Sequence, residues 1–235
     1  MLSTTCPKPY TTATITTVLL KKGLRNVWVR GARPIRSGQK RLVGPAFTLR
    51  FVPVREDLAT PESWGNPIST RAAVEAMPEG AIAVIDAMGV TDAGVFGDIL
   101  CARMAKRNVA AMVTDGVVRD LAGVLSTKLP IWCAGVAAPS SVTGLTFVNW
   151  AEPIGCGGVQ VRPEDIIGCD DDGVVAVPLE VAQEVAIHAR AVLLADMKGR
   201  RGLYERLGMP MDETVDVATV ERYYEDLDQE LRREG

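Results

Sequence analysis

The sequence predicts an α/β fold, and three observations predict it. Two runs, Ala81-Ile82-Ala83-Val84-Ile85-Asp86 and Val109-Ala110-Ala111-Met112-Val113-Thr114, are almost wholly apolar and of strand length, the pattern of buried strands. Between them, Asp98 to Arg107 carries Ile99, Leu100, Ala102, Met104 and Ala105 at helical spacing. A glycine-containing loop precedes that helix and Asp115-Gly116 follows the second run, so strands alternate with helices through short turns.

The other elements follow in order. Thr11 to Lys22 sets Ile15, Val18, Leu19 and Leu20 among threonines and ends at Gly23, a short helix with a glycine stop. The basic stretch Arg30 to Arg41 reads as a solvated loop. Leu42 to Val52 alternates and is rich in β-formers, a strand or bent strand pair closed by Pro53. Glu56 to Asn66, with Pro61 and Gly65, is the body of an inserted loop at about 54–68, before a short helix from Ser69 to Met77. Arg119 to Ser126 starts a second covering helix, and Pro130 to Ala134 is the strand after it. Gly158 to Val161 and Gly173 to Val177 flank Asp170-Asp171-Asp172-Gly173 and are expected to pair as a hairpin with that acidic turn in solvent. Glu180 to Met197 is the clearest helix, and Val217 to Arg232 reads as an amphipathic helix in a tail of about 198–235.

Composition narrows the function. At 235 residues without an internal repeat, one domain spanning 1–235 is expected. A net charge of -3 gives no basis for nucleic-acid binding, and no run approaches the roughly 18 apolar residues of a membrane span. No secretory leader is apparent, so the cytoplasm is the expected compartment. Five cysteines (Cys6, Cys101, Cys133, Cys156, Cys169) form no C-x-x-C pair and read as mostly buried thiols.

Two segments carry candidate chemistry. Gly94-Val95-Phe96-Gly97-Asp98-Ile99-Leu100 is a glycine turn opening a helix, where free backbone N–H groups favour an anion such as a carboxylate. Asp98 by itself reads first as the helix N-cap. Val113 to Asp120 turns at the C-terminal end of a buried strand, where ligands of α/β folds tend to bind. There Arg119 offers a carboxylate fork and Asp120 a hard oxygen ligand for magnesium or manganese; alone, the two read as an ion pair.

Asp98, twenty residues, then Arg119-Asp120 resembles the D-x20-R-D signature of the ribonuclease-activity-regulator A (RraA-like) superfamily, which includes class II 4-hydroxy-4-methyl-2-oxoglutarate and 4-carboxy-4-hydroxy-2-oxoadipate aldolases. The resemblance runs from about Val43 to Pro178, through Gly44-Pro45-Ala46-Phe47-Thr48 and Asp172-Gly173-Val174-Val175-Ala176-Val177-Pro178. It implies a layered β/β/α swivelling-type domain, assembled as a homotrimer or homohexamer with sites near subunit interfaces. It also implies Mg²⁺ or Mn²⁺ at Asp120, a 2-oxo acid held by Arg119 and the Gly97, Ile99 and Leu100 turn, and proton relay by Asp98. The expected activity is carbon–carbon cleavage releasing pyruvate, with oxaloacetate decarboxylation at the same site. The alternatives are a non-catalytic protein regulator of an RNA-degrading endonuclease and a hydratase or other lyase of sugar-acid breakdown. Many relatives have Pro-Gly-Asp where this chain has Pro163-Glu164-Asp165, so a differently shaped turn is expected at Glu164. His188 is assigned a structural or surface role, and Glu75 and Glu152 are candidates to supply supporting oxygens.

Overall fold

The computed structural model describes residues 10–218, 220–222 and 225. In chain order the elements are α1 (Thr12–Lys21), β1 (Arg33–Pro34), β2 (Leu42–Pro53), α2 (Thr70–Ala76), β3 (Ile82–Asp86), α3 (Asp98–Lys106), β4 (Ala111–Thr114), β5 (Val117–Val118), α4 (Leu121–Ser126), β6 (Ile131–Cys133), β7 (Gly135–Val136), β8 (Leu145–Trp150), β9 (Ile166–Asp170), β10 (Gly173–Val177) and α5 (Ala182–Leu207). Side-chain oxygens of Thr11 and Ser69 cap α1 and α2 by accepting from Thr14 N and Ala72 N, and Gly23, at φ 85°, ends α1 as expected.

The 12-residue strand β2 organises the molecule because it belongs to two sheets. Its first residues, Leu42 to Pro45, pair antiparallel with β9, which pairs with β10. Its later residues pair parallel with β3 and antiparallel with β8, and β3, β4, β6 and β1 continue that sheet. Alternation then sorts the side chains. Ala83, Ile85, Met112, Ile131 and Cys133 face a core shared with α2, α3 and α4. Ile82, Val84, Ala111, Val113 and Trp132 face the β9–β10 sheet across a second core. The outer face of that sheet packs Val175 and Val177 against α1 and α5. This is the layered β/β/α arrangement, closed at one end by helices α1 and α5.

Several expectations need correction. The partner of Gly173 to Val177 is Ile166 to Asp170, not Gly158 to Val161, whose Val161 makes an isolated bridge to Ile154. The turn between them is not wholly solvated, since Asp170 is buried and accepts from Thr12 N and Thr12 Oγ1, both at 2.7 Å. The basic loop is solvated as expected at Arg30, Arg33, Arg36 and Lys40, but its backbone is anchored: β1 pairs with β6, and the buried Gln39 amide both donates to Ile131 O (2.9 Å) and accepts from Ile131 N (3.1 Å). Glu164 takes the left-handed backbone anyway, at φ 70°, so the turn keeps a glycine-like shape without the glycine. The clearest helix runs ten residues beyond Met197, to Leu207. Helix appears from Val217 as expected, but most of 217–232, like Cys6, lies outside the described residues. No helix among the described residues is long and apolar enough to cross a membrane.

Candidate active site

Three loop segments leave the C-terminal side of the central sheet and lie side by side as a small second sheet. Val117 and Val118 pair in parallel with Gly135 and Val136, and Gly94 bridges both Val117 and Ser140. Hydrogen bonds continue the strip: Val95 N donates to Val117 O (2.8 Å), Arg119 N to Phe96 O (3.0 Å) and Ala137 N to Val118 O (2.9 Å). Side-by-side pairing of the 94–96 and 117–119 backbones brings the starts of α3 and α4 to one corner.

At that corner the residues that lack side chains decide the geometry. A Cβ on Gly97 would lie 2.7 Å from Asp120 Oδ2 and 3.2 Å from Arg119 Cγ. One on Gly94 would lie 2.8 Å from Arg119 Cβ, and one on Gly123 would lie 2.6 Å from Asp98 Cβ. Arg119 and Asp120 therefore sit directly against the Gly94–Gly97 turn, while Asp98 lies against the first turn of α4. Gly94 and Gly123 were not singled out in the sequence as site residues. A signal existed for Gly123, because a glycine inside a helix costs about 1 kcal/mol against alanine and asks for a packing reason.

The charged groups divide the available contacts among themselves. Arg119 Nε donates to Asp120 Oδ2 at 2.9 Å, so the ion pair read in the sequence exists, on two partly exposed side chains. Asp120 caps α4 with a left-handed backbone at φ 55°, ψ 48°, so α4 starts at Leu121 rather than Arg119. Asp98 is not the cap of α3; Gly97 is, and Asp98 Oδ1 accepts from Ile99 N at 2.8 Å. That bond occupies one of the two amides expected to receive a substrate carboxylate, which leaves Leu100 N at the helix start. The Ile99 side chain, Leu121 and Val136 are exposed around the corner.

Asp120 is the hard-oxygen donor here, and its carboxylate has room only because residue 97 has no side chain. Among the described residues no three His, Cys, Asp or Glu side chains form a group that could hold a metal ion. The residues present fit an ion that keeps most of its waters and takes one or two carboxylates, as Mg²⁺ does, and do not fit an all-protein cage. Glu75 is not part of the corner, since it pairs with Arg103 and with Arg107 Nη1 (3.2 Å). The Glu152 side chain is exposed, and its backbone oxygen accepts from Thr48 Oγ1. His188 is on the exposed face of α5, 3.8 Å from Glu184.

A second carboxylate pair, Asp86 and Asp115, lies buried beneath the loops at the ends of β3 and β4 and was read in the sequence only as strand-end and turn residues. Asp115 accepts from Ala87 N (2.8 Å), Gly89 N (3.1 Å) and Gly157 N (2.9 Å), and Asp86 from Met88 N (3.0 Å) and Gly155 N (3.1 Å). Burial pushes the Asp115 carboxyl above the usual aspartate range, against the pull of its amide donors. These oxygens are spent on tying two loops together, and Gly116, a Cβ on which would stand 2.6 Å from Ala87 Cβ, lets the chain pass beneath them toward Arg119.

Fold and corner together define a layered α/β domain that presents an Arg–Asp pair against a glycine-lined helix start. The chain belongs to the RraA-like family (Aldolase/RraA), whose model matches residues 12–176. It is 32% identical over 164 residues to Protein DlpA of Legionella pneumophila, which covers 70% of this chain but only 26% of DlpA, so the chain spans about a quarter of that protein. It is 32% identical over 167 residues to a Halalkalibacterium halodurans protein named as a candidate 4-hydroxy-4-methyl-2-oxoglutarate aldolase, covering 71% of this chain and 73% of that one. Among solved structures, Streptomyces coelicolor RraAS2, described as an unusual member of the RNase ES inhibitor RraA protein family, superposes with a TM-score of 0.75 at 31% identity, over 84% of this chain and 94% of that one.

Proposed function

We propose that the chain is a divalent-metal-dependent lyase that cleaves a 4-hydroxy-2-oxo acid to release pyruvate and decarboxylates oxaloacetate at the same site. The observation that carries this reading is the packing of Arg119 and Asp120 against Gly97, next to Asp98 at the start of α3. Gly94 is required by the close approach of the two backbones, its nearest atoms being Arg119 Cβ and N, whereas at Gly97 the nearest atom is the Asp120 carboxylate itself.

Asp120 would hold Mg²⁺ or Mn²⁺ largely through waters, and the bound ion would supply Lewis-acid charge near the 2-oxo and C1 carboxylate oxygens. Among the described residues, Arg119 is bonded through Nε alone, so its terminal amino groups are available to a substrate oxygen. There they stabilise the negative charge that grows as the C3–C4 bond breaks. Leu100 N, at the positive end of α3, receives the carboxylate. Asp98, through a water, takes the proton from the 4-hydroxyl and returns it to C3 of the pyruvate enolate, so the cleavage consumes no net proton. In oxaloacetate the departing group is CO2, and the proton at C3 comes from solvent.

The test is pyruvate formation from oxaloacetate and from 4-hydroxy-4-methyl-2-oxoglutarate with Mg²⁺, with Mn²⁺ and with chelator, for the wild type and Asp120→Ala. Release that needs the metal and is lost in the variant is the expected result; no release from either compound under any condition would sink the reading. A second reading, a protein that restrains a ribonuclease, draws on the description of the Streptomyces relative. It predicts inhibition of an RNA-degrading endonuclease that survives Asp120→Ala and chelator.

A further inference from the structure

The insertion between β2 and α2 builds a cavity that the lyase reading does not use. Its 3-10 turn, Pro61–Gly65, stands over Phe51 of β2 and Phe147 of β8 and leaves a space of about 220 Å³. Phe51 and Phe147 meet edge to face at 5.2 Å, and Trp64 closes the side formed by the insertion. Leu58 and Ile68 stand at the mouth with 51% and 59% of their surface exposed, apolar area that a bound molecule would cover. No Asp, Glu, Lys or Arg lines the space; its polar side-chain groups are hydroxyls, such as that of Ser141, the Asn66 amide and the Trp64 indole N–H.

We propose that this cavity binds an uncharged single-ring molecule, separate from the 2-oxo acid substrate. The volume supports the size, since an apolar cavity of roughly 150 Å³ holds benzene, and 220 Å³ leaves room for one small substituent. The lining supports the charge, because a carboxylate placed there would lose its water with no cation in the lining to replace it; the Arg71 guanidinium stands 6.0 Å from the centroid of the Trp64 ring without lining the space. The position supports an effect on the corner. Ser141 lines the cavity, its neighbour Ser140 bridges Gly94, and Gly94 packs directly on Arg119. A ring in the cavity therefore braces the strip of backbone from which Arg119 projects.

Benzyl alcohol and benzoate, which differ chiefly in charge, serve as probes for calorimetry on the full chain. Benzyl alcohol is expected to saturate with a Kd of ~1 mM, the scale of a ligand with so few atoms, and benzoate to bind at least tenfold more weakly. Ile68→Lys, at an exposed position that leaves the fold intact, is expected to reverse that preference. Amide exchange at Gly94 and Val95 slows when benzyl alcohol is bound. Absence of saturation, equal affinity for the two probes, unchanged exchange at both amides, or a smaller assembly of Ile68→Lys in sedimentation would each overturn the proposal, the last by marking this face as a contact between copies. None of these readouts depends on lyase activity, so the two proposals fail independently.

Discussion

Gly97 illustrates how a residue without a side chain determines chemistry. A methyl at this position collides with Asp120 Oδ2 at 2.7 Å and crowds Arg119, so Gly97→Ala is expected to displace both. On the proposed mechanism a shift near 1 Å lowers metal-dependent pyruvate formation on the order of 100-fold, with little change in the urea midpoint; an activity within twofold of wild type would contradict it. Glu164 shows the converse, a side chain where the backbone favours none. Its φ of 70° costs a non-glycine residue about 1 kcal/mol, and Glu164→Gly is expected to raise stability by up to that amount in urea denaturation. The sequence marks the first position by a glycine at a helix start, while the second stands out only through the family resemblance, as a departure from a Pro-Gly-Asp turn. It does not mark Ile99 N as already bonded to Asp98, since that depends on a rotamer, nor the loop-tying roles of Asp86 and Asp115.

The joining of elements turns on Asp170. Its carboxylate accepts from the Thr12 backbone and hydroxyl and from Asp172 N, so the β9–β10 hairpin is latched to the start of α1. Asp170→Ala leaves two buried Thr12 donors without a partner and is expected to cost about 3 kcal/mol in urea unfolding, at 1–3 kcal/mol for each unsatisfied group; a loss under 1 kcal/mol would show the latch to be replaceable. The acidic run looked solvated in the sequence because charge density and an Asp-Gly pair are the local signals of an exposed turn. What buries its first residue is α1, over 150 residues away. The misassigned hairpin partner has a similar origin: Gly158 to Val161 and Ile166 to Asp170 are both short and β-rich, and pairing with β2 selects the second.

On the scale of the whole molecule, two layers of buried β-structure set what titrates and what reacts. Burial pushes the Cys101 thiol up to about 12, and Cys133, Cys156 and Cys169 are raised in the same direction. In a Cys6→Ser background at pH 8, a thiol reagent is therefore expected to leave all four unmodified until urea is added. Asp115 gives a pH dependence of defined sign. Its folded carboxyl holds the proton more tightly than the unfolded one, so its contribution to stability is fully present below the ordinary aspartate value of about 3.9 and is lost as pH rises through the raised folded value. Relative to Asp115→Asn, the wild type should lose stability over that rise, which chemical denaturation across pH 3.5 to 7 will measure; a difference independent of pH would contradict it. The sequence by itself determined the α/β class, the buried strands β3 and β4, the helix between them and the spacing of Asp98 from Arg119 and Asp120, because periodicity and turn chemistry are local. Only the tertiary structure decided that β2 serves two sheets, that Asp170 and Asp115 are buried, and that Gly94 and Gly97 leave room for Arg119 and Asp120 while Gly123 leaves room for Asp98. Strand partners and close approaches are made between residues far apart in the chain, where local propensity carries no information.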